Sequence, residues 1–388
     1  MNKLLIVTTV PATIDAFLFP YVHYFRTKGW QVDAMAQGIS TNTNCLEAFD
    51  RVWEVEWSRN PLQLQNLMVA PQQIRQVVEQ ERYDLVHVHT PVAAFVTRYA
   101  LKHLRKRGQP KVIYTAHGFH FYRGGKLLKN AAFLTLEKLA GAWTDYLIVI
   151  NREDEAAAKR YQIVPDDRLR YTPGIGVDCD RYSSKFVSDL EIQMVRQELG
   201  LAPNAPLFLS IAELNPGKRH QDILQALAKL RRSDVHLALA GTGPQQAKLQ
   251  QLAFQLGIAE QIHFLGYRRD IPALIRASVA TVLASEREGL PRSIMESLCL
   301  ETPAIGTKIR GIQDLLAEGC GLLVKVGDVK GLTEAMAHIL DRPEEVKLMG
   351  QRGKERMNEY ELQKIIEMYE QLYAEALGQK IVEVKTPA

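Results

Sequence analysis

Short apolar runs, rich in β-branched residues, alternate with longer amphipathic segments along the first half of the chain. The apolar runs predict buried strands, at 4–9, 32–35, 85–89, 112–116 and 146–150. The amphipathic segments have helical spacing and lie near 15–28, 62–80, 92–107, 129–141 and 152–160. Strands that alternate with helices in this way are typical of a doubly wound parallel sheet.

A second series of strands follows a segment rich in proline and glycine, 172–178. Its strands are predicted at 207–212, 235–240, 262–265, 280–283, 303–307 and 322–325. The chain therefore has the pattern of an α/β protein with two Rossmann-like, doubly wound domains, predicted at 1–180 and 181–360. A helix at 361–378 is expected to return to the first domain, and 379–388 is expected to form a tail. Because ligands bind outside the carboxyl ends of such strands, two facing domains predict a cleft between them.

The composition is that of an ordinary folded protein. With 46% apolar and 24% charged residues, it excludes a disordered, collagen-like or low-complexity chain. No apolar stretch approaches the roughly 18 residues of a membrane-spanning helix. The four cysteines lie far apart in the sequence and form no C-x-x-C pair, which argues against a zinc knuckle, a redox pair or a disulfide framework. We therefore expect a cytoplasmic protein that is soluble or at most peripheral to the membrane.

Basic charge is concentrated in the segment 98–138. It holds ten basic residues and one acidic residue, Glu137, and so has a local formal charge of +9. The basic residues are Arg98, Lys102, Arg105, Lys106, Arg107, Lys111, Arg123, Lys126, Lys129 and Lys138. The segment also carries Phe119, Phe121, Tyr122, Leu127, Leu128 and Phe133. Such a segment could bind an anionic membrane surface. The simpler alternative is that it forms a solvated helix face and a loop with no partner. Nucleic acid is not expected as a partner, because no recognition motif accompanies the charge.

The strongest local signal for chemistry is the segment 285–296, Ser-Glu-Arg-Glu-Gly-Leu-Pro-Arg-Ser-Ile-Met-Glu, which follows a predicted strand. Pro291 suits the first turn of a helix, and the open backbone N–H groups of a helix N-terminus bind anions such as diphosphate. Glu288 would lie in the loop before this helix, and Glu296 about two turns inside it. Their carboxylates can accept hydrogen bonds from sugar hydroxyls, although an acid before a helix is also a common cap.

This segment resembles the signature of the family 4 retaining glycosyltransferases, in which two glutamates are separated by seven residues, as Glu288 and Glu296 are here. The similarity covers about residues 3–370. It includes Tyr83-Asp-Leu-Val-His-Val-His-Thr-Pro, Thr115-Ala-His-Gly-Phe-His-Phe-Tyr, Pro173-Gly-Ile-Gly-Val-Asp and Phe264-Leu-Gly-Tyr-x-x-Asp-Ile. The second block and Phe17-x-x-Pro-Tyr resemble the branch that serves bacterial exopolysaccharide and capsule assembly. The resemblance implies the GT-B fold of two Rossmann-like domains.

Donor-binding roles also follow from the resemblance. It implies that Glu288 contacts the hydroxyls of the donor sugar and that Glu296 holds the ribose of the nucleotide. The backbone of the three residues between 289 and 291, Gly289, Leu290 and Pro291, would approach the sugar and the diphosphate. Lys218 matches the diphosphate lysine of the family, although a lone lysine in a loop is more often simply solvated.

One position departs from the family pattern. Where many members have an arginine, this chain has Glu213, and an acid cannot clamp a diphosphate. Arg219 or Arg310 would have to supply the missing contact. The turn at Gly243 begins like a dinucleotide-binding loop but lacks its third glycine, so we expect it near the donor phosphates at most.

Histidines are the candidates on the acceptor side. His117 ends the fourth predicted strand of the first domain, and the resemblance implies that it lies near the reacting sugar. His120, three residues later, is an alternative, and Phe17 is assigned to the acceptor side with it. His87 and His89 share one face of a strand, where packing or acceptor-side contacts are expected rather than metal binding, because a third ligand is missing.

The expected activity is the retaining transfer of a hexose or N-acetylhexosamine. The donor would be a nucleotide diphosphate sugar, UDP-linked by expectation, and the acceptor a lipid-linked glycan at the inner face of the cytoplasmic membrane. No cofactor or metal is expected, since Asp178 and Asp180, which match an Asp-x-Asp metal pattern, lie in the predicted hinge. A UDP-sugar 2-epimerase of the same fold and a noncatalytic scaffold that binds sugar nucleotide remain alternatives.

Overall fold

The computed structural model describes residues 1–57, 68–122 and 124–379. The chain divides into two compact units. Unit 1 comprises Met1–Ile175 together with the chain from Lys364 onward, and unit 2 comprises Gly176–Gln363. The start of the helix predicted at 62–80, the basic residue Arg123 and the expected tail beyond 379 lie outside the described residues. No helix in the described ranges is long and apolar enough to cross a membrane.

Unit 1 is built on a parallel sheet, which has seven strands within the described residues. In chain order they are β1 (Lys3–Val7), β2 (Gln31–Ala36), β3 (Val52–Glu54), β4 (Leu85–His89), β5 (Lys111–Ala116), β6 (Tyr146–Val149) and β7 (Leu169–Tyr171). Their order across the sheet is β3-β2-β1-β4-β5-β6-β7. Every residue of the central strand β4 is buried, as expected where helices cover both faces of a parallel sheet.

Helices connect these strands. They are α1 (Ala12–Phe17), α2 (Phe19–Thr27), α3 (Thr43–Ala48), α4 (Val69–Glu81), α5 (Pro91–Arg105), α6 (Leu127–Gly141) and α7 (Arg152–Tyr161). The single helix predicted at 15–28 is wrong, because the structure divides it at Leu18. Pro20 lacks a backbone N–H and its ring crowds the preceding turn, so the chain restarts there as α2.

Unit 2 is built on a second parallel sheet, with six strands among the residues that the structure describes. They are β8 (Leu207–Ile211), β9 (His236–Ala240), β10 (Ile262–Gly266), β11 (Ala280–Leu283), β12 (Ala304–Thr307) and β13 (Gly321–Val324). The order is β10-β9-β8-β11-β12-β13. Because β8 and β11 are neighbours, the loops that follow them leave the same edge of the sheet side by side.

The helices of unit 2 follow the same alternation. They are α8 (Asp189–Glu198), α9 (His220–Leu230), α10 (Gln246–Gln255), α11 (Ile271–Arg276), α12 (Arg292–Cys299), α13 (Ile312–Leu315), α14 (Val329–Asp341) and α15 (Pro343–Met357). A Ser188–Glu191 capping box begins α8. In α14 the first turn is closed by the Asp328 side chain, which accepts from the backbone N–H of Gly331.

The last helix, α16 (Leu362–Leu377), packs against unit 1. Tyr369 and Tyr373 are buried on its inner face. The Tyr369 ring lies 5.0 Å from that of Tyr21, and the Tyr373 ring lies 4.9 Å from that of Phe25. These contacts place α16 beside α2, so aromatic packing contributes to holding this helix on unit 1.

Candidate functional site

The backbone of the loop that follows β11 is held by hydrogen bonds from both sides within unit 2. The Glu286 N–H donates to the Gly217 carbonyl at 2.9 Å, and the Thr307 hydroxyl donates to the Ser285 carbonyl at 2.6 Å. Gly311 lies so close that a Cβ there would come 1.9 Å from the Gly289 carbonyl oxygen. The segment 285–291 therefore has a fixed backbone, which is what a preformed ligand site requires.

An ion pair joins this loop to the one that follows β8. The Nζ of Lys218 lies 2.5 Å from Oε1 of Glu288, and both side chains are partly buried. Lys218 ends a short 3-10 turn that Asn215 caps by accepting from the Lys218 backbone N–H. The two residues that the resemblance assigned to donor phosphate and donor sugar are thus brought together, 70 positions apart in the chain.

Glu296 lies on α12 and is 6% exposed. Its Oε1 accepts from Arg292, one turn earlier, at 2.9 Å, and the Tyr182 hydroxyl is a further hydrogen-bond partner. Burial raises the pKa of Glu296, and the Arg292 guanidinium opposes that shift. The expectation that Glu296 lies two turns inside the helix is wrong: Pro291 is the N-cap, so Glu296 is the fifth helical residue.

The arginines near this loop are already engaged with the protein. Arg219 pairs with Asp222 at 2.6 Å and with Glu286 at 2.7 Å. Arg310 is 4% exposed, and its Nε donates to the Glu288 carbonyl at 3.3 Å. Arg310 thus holds the backbone of the loop, and a diphosphate would have to compete with two carboxylates for Arg219.

The turn at Gly243 packs on the loop after β8. A Cβ at Gly243 would lie 2.5 Å from the Leu214 carbonyl oxygen, so a glycine is needed for this close approach. The Leu214 N–H donates to the Thr242 carbonyl, and the exposed Glu213 carboxylate accepts from the Asn215 amide at 2.9 Å.

We group the candidate donor-binding residues of unit 2 under one name. We define the donor-side cluster as Lys218, Arg219, Glu288, Glu296 and Arg310.

Unit 1 holds a second set of candidate residues, which we define as the histidine cluster: His87, His89 and His117. His117 directly follows β5, the fifth strand rather than the predicted fourth, and its Nε2 lies 3.0 Å from Nδ1 of His89. The two rings are stacked with centroids 5.2 Å apart. The Phe17 ring lies 4.9 Å from the His117 ring, so three of the predicted acceptor-side residues meet here.

Two members of the histidine cluster are buried, and His117 retains some exposure. His89 is 1% exposed, which agrees with the packing alternative expected for it, and it contacts the partly exposed His117. His87 hydrogen-bonds the Tyr373 hydroxyl at 2.5 Å and the Thr115 hydroxyl at 2.8 Å, which gives it a structural role.

Burial shifts the titration of all three rings in the same direction. It lowers the pKa of His117 to about 4 and that of His87 to about 3. It also lowers the pKa of His89 well below the ordinary value, with the neighbouring His87 as a second cause. The histidine cluster is therefore neutral at physiological pH, and its imidazoles act as hydrogen-bonding groups rather than as cations.

The remaining predicted acceptor-side residue, His120, is not part of this cluster. Its ring packs 5.1 Å from that of Phe133 on α6. Sequence reasoning also missed three partners of the site: Tyr182 beside Glu296, and Thr115 and Tyr373 beside His87. For Tyr373 no sequence signal exists, because its role depends on how α16 packs 286 positions away from His87.

The basic segment 98–138 is less uniform than its sequence suggests. Arg98 is 1% exposed and paired with Glu137 at 3.0 Å, so it does not contribute to a surface. Phe119 and Phe121 are buried too, which corrects their expected place among lipid-facing side chains. The apolar side chains that the fold does expose include Leu127 and Leu128, at 87% and 89%.

No group of three or more histidine, cysteine or acidic side chains in the described part of the chain is arranged to hold a metal ion. In the Asp-x-Asp pattern, Asp178 accepts from the Arg181 backbone N–H at 2.8 Å and so closes a local turn. That sugar transfer needs no metal ion remains a prediction, which a rate measurement with and without a chelator would test.

Comparisons with known proteins agree on one family. Residues 191–356 match the family model "Glycosyl transferases group 1", and residues 21–181 match "Glycosyltransferase Family 4". The chain is 33% identical over 376 residues to "Putative glycosyltransferase EpsD" of Bacillus subtilis, with 96% of each protein covered. It is 26% identical over 272 residues to "UDP-Gal:alpha-D-GlcNAc-diphosphoundecaprenol alpha-1,3-galactosyltransferase" of Escherichia coli, with 68% of each covered.

A solved structure shares the fold. The crystal structure of Anabaena Alr3699/HepE in complex with UDP has a TM-score of 0.80 and 19% identity, and the match covers 97% of this chain and 100% of that one. The same protein has also been solved with UDP-glucose. The expected fold of two parallel-sheet α/β domains is confirmed, and the chain belongs to the family 4 glycosyltransferases of the GT-B fold, which transfer a sugar from a nucleotide sugar.

Proposed function

We propose that this glycosyltransferase moves a hexose or N-acetylhexosamine from a UDP-linked donor to a lipid-linked glycan, with retention of configuration, in cell-surface polysaccharide biosynthesis. The observation that carries the proposal is the Lys218–Glu288 ion pair beside the N-terminal end of α12. A cation and open backbone N–H groups suit the diphosphate of a donor, and a carboxylate suits its sugar hydroxyls.

Lys218 can serve both partners at once. An ammonium group has three N–H donors, so Lys218 can keep Glu288 in place while it donates to a phosphate oxygen. The buried carboxylate of Glu296 would accept from the ribose hydroxyls, in exchange for part of its contact with Arg292 or Tyr182. Arg310 would act by holding the Glu288 backbone rather than by direct phosphate contact.

The transfer step that we propose is a substitution on one face of the sugar. The bond from the anomeric carbon to the diphosphate oxygen breaks as the acceptor oxygen bonds to the same face, and the acceptor proton passes to the departing phosphate oxygen. Negative charge grows on the diphosphate during this step, so Lys218 and the α12 end would stabilise the transition state more than the ground state.

His117 would supply a neutral hydrogen-bonding group to the reacting sugar or the acceptor. Its lowered pKa, caused by burial, keeps the ring uncharged, so it can accept from or donate to a hydroxyl without attracting the diphosphate. The stacked His89 ring and the tilted Phe17 ring would fix its orientation.

The ligands and acceptors of related proteins support the donor and acceptor that we propose. The Anabaena neighbour is described as a complex with UDP and with UDP-glucose, which favours a uridine donor. The Escherichia coli relative is named for a diphosphoundecaprenol-linked acceptor, which favours a lipid-linked acceptor here.

The start of α6 is the surface that we propose for contact with an anionic membrane. Leu127 and Leu128 are largely exposed there, between the exposed Lys126 and Lys129. Two leucines can enter the headgroup region while each nearby lysine contributes about 1 kcal/mol at an anionic surface. This would keep the enzyme next to a lipid-linked acceptor.

Vesicle sedimentation tests this surface. Wild type should sediment with vesicles that contain phosphatidylglycerol and be released by salt, whereas a variant with Lys126, Leu127, Leu128 and Lys129 changed to Ser should stay in solution. A control with the exposed Lys229 and Lys248 changed to Ser should bind like wild type. Salt-insensitive binding, or equal binding by the first variant, would contradict the proposal.

The function itself is tested by a screen followed by product analysis. Nucleotide diphosphates and their sugars are first ranked by protection against thermal unfolding, with UDP compounds expected to raise Tm most. The best donor is then incubated with a diphospholipid-linked glycan, and NMR of the product should show the anomeric configuration of the donor. A changed sugar nucleotide formed without acceptor would indicate an epimerase, and binding without turnover would indicate a scaffold.

A further inference from the structure

Two cysteines that are far apart in the sequence meet in unit 2. The Sγ atoms of Cys179 and Cys299 are 3.4 Å apart, although 120 positions separate them. Sequence spacing argues against a redox pair, yet the fold brings these two free thiols within contact distance. Cys45 and Cys320, which are both buried, complete the four free cysteines of the chain.

The two thiols of this pair have different surroundings. Cys179 is partly exposed, whereas Cys299 is 3% exposed at the end of α12. The Cys179 sulfur also lies 3.8 Å from the Met357 carbonyl oxygen. The accessible thiol is therefore positioned to react first with a small molecule, and the buried thiol lies within contact distance to react with it next.

The hydrogen bond between the two thiols also favours reaction at Cys179 before Cys299. When the Cys299 S–H donates to the Cys179 sulfur, it stabilises a thiolate there, which lowers the pKa of Cys179. The same bond, together with burial, raises the pKa of Cys299. Asp178 and Asp180, on either side of Cys179, oppose the first shift. A thiolate is the nucleophilic form of cysteine, so Cys179 is the attacking group of the pair.

We infer that Cys179 and Cys299 form a thiol modification site, at which a hydroperoxide oxidises the pair to an intramolecular disulfide. The Cys179 thiolate attacks one peroxide oxygen, the O–O bond breaks, and for hydrogen peroxide the other oxygen leaves as water after taking up a proton. The resulting Cys179 sulfenic acid is attacked by the Cys299 sulfur, which forms the S–S bond and releases a second water. Two thiols lose two electrons, and the peroxide gains them.

The required movement is small. A disulfide has an S–S length of about 2.05 Å, so the two sulfur atoms need to approach by only about 1.4 Å. Cys299 lies three residues after Glu296 on α12, and Cys179 lies three residues before Tyr182, the hydrogen-bond partner of Glu296. The modification would therefore link the same two segments that the Tyr182–Glu296 hydrogen bond already joins.

Mass spectrometry of the full chain tests the site. Reduced protein is treated with a small excess of hydrogen peroxide at neutral pH, denatured and alkylated. We expect a mass loss of about 2 Da before alkylation, alkylation of only Cys45 and Cys320, a peptide that links Cys179 to Cys299, and full reversal by dithiothreitol. Four alkylated cysteines, a crosslink between two chains or irreversible sulfinic acid would overturn the inference.

Variants separate the two roles. In Cys299→Ser the reaction should stop at a Cys179 sulfenic acid that dimedone captures. In Cys179→Ser the buried Cys299 should stay reduced under the same treatment. A Cys45→Ser/Cys320→Ser control should form the disulfide at the wild-type rate. Oxidation of Cys299 in the Cys179→Ser variant, at the wild-type rate, would overturn the assignment of Cys179 as the attacking thiol.

Discussion

The histidine cluster of unit 1 and the donor-side cluster of unit 2 differ in charge: the first consists of neutral rings and the second of ionised side chains. In the histidine cluster, neutral rings contact each other and hydroxyl groups, as in the His89–His117 hydrogen bond of 3.0 Å. In the donor-side cluster, charged groups are ion-paired: Lys218 pairs with Glu288 inside the cluster, and Arg219 pairs with the neighbouring Glu286. His89 ends β4 and His117 directly follows β5, whereas His87 lies inside β4. Lys218 and Glu288 lie in the loops after β8 and β11. Both clusters thus have members at the carboxyl ends of parallel strands, so the fold alone does not explain the difference.

The difference matches two kinds of substrate group. A diphosphate is a dianion or more, so it would be bound by a cation such as Lys218, which is ion-paired and partly exposed. A hydroxyl is neutral, and a buried imidazole that burial keeps uncharged can hydrogen-bond it. We therefore expect substitutions in the donor-side cluster to weaken nucleotide binding and to remove stabilisation of the charged transition state. Substitutions in the histidine cluster should instead lower kcat and change how the free energy of unfolding depends on pH.

The largest effect is expected from Lys218→Ala. Removal of one preorganised donor to a developing negative charge typically lowers kcat about 100- to 1000-fold, and we expect a loss in that range. The measurement is the steady-state rate with a UDP-sugar, with Lys229→Ala, an exposed lysine on α9, as the control. A loss of less than about five-fold would break the assignment of charge stabilisation to the donor-side cluster.

The next effect is a loss of stability in mild acid. Unfolded histidines take up protons near pH 6.5, whereas burial lowers the pKa of His117 to about 4 and that of His87 to about 3. The unfolded chain therefore binds more protons between these values, and stability falls as the pH decreases from about 6.5 toward 4. From pH 7.5 to pH 5 each such histidine should cost about 2 kcal/mol.

Urea unfolding at the two pH values measures this loss. His87→Gln should reduce the difference by about 2 kcal/mol, while the exposed His23→Gln should leave it unchanged. His220, whose pKa burial lowers to about 4, is the corresponding residue of unit 2. The contradicting result would be a smaller loss of unfolding free energy between pH 7.5 and pH 5 in His220→Gln but not in His87→Gln. The acid sensitivity would then not come from the histidine cluster.

A smaller effect is expected from His89→Gln. Since His89 contacts His117 rather than solvent, its replacement should lower kcat about ten-fold and leave the Kd for UDP unchanged, as a positioning residue in the histidine cluster would. The control is His263→Gln, because His236 and His263 form a second histidine pair, 3.0 Å apart, in unit 2. An equal loss in both variants, or a weakened Kd in His89→Gln, would contradict the division of roles.

The smallest effect is expected from chelation. If Lys218 and the N-terminal end of α12 stabilise the growing charge on the diphosphate, EDTA should change the rate less than two-fold. Loss of turnover in EDTA with recovery in magnesium or manganese would mean that a metal ion takes this role in place of Lys218.

Most of the element pattern was predictable to within a few residues, because short apolar runs rich in β-branched residues alternate regularly with longer amphipathic segments. All six strands of unit 2 were predicted near their observed bounds. The strands Val52–Glu54 and Leu169–Tyr171 were not, since three residues at a sheet edge leave almost no periodic signal. The break between α1 and α2 was missed because the amphipathic spacing continues across Leu18 while Pro20 interrupts the backbone hydrogen bonds.

The candidate site was predictable only where a local motif marks it. Glu288 and Glu296 stand in one segment of twelve residues, and Lys218 follows a strand, so their types and positions were available from the sequence. The pairing of Lys218 with Glu288 depends on β8 and β11 being neighbours in the sheet, which is a property of topology. The burial of His89 by packing and the approach of Cys179 to Cys299 likewise follow from the three-dimensional fold.

Calorimetric titration with UDP tests most directly whether the donor-side cluster binds the nucleotide. Glu296→Ala removes the carboxylate that would hold the ribose and should weaken binding by about 1 to 3 kcal/mol, or about 5- to 150-fold in Kd. Glu334→Ala, at an exposed position of α14, should leave the Kd unchanged, and thermal melts should show that both variants are folded. Equal UDP affinity in folded Glu296→Ala and wild type would contradict the account.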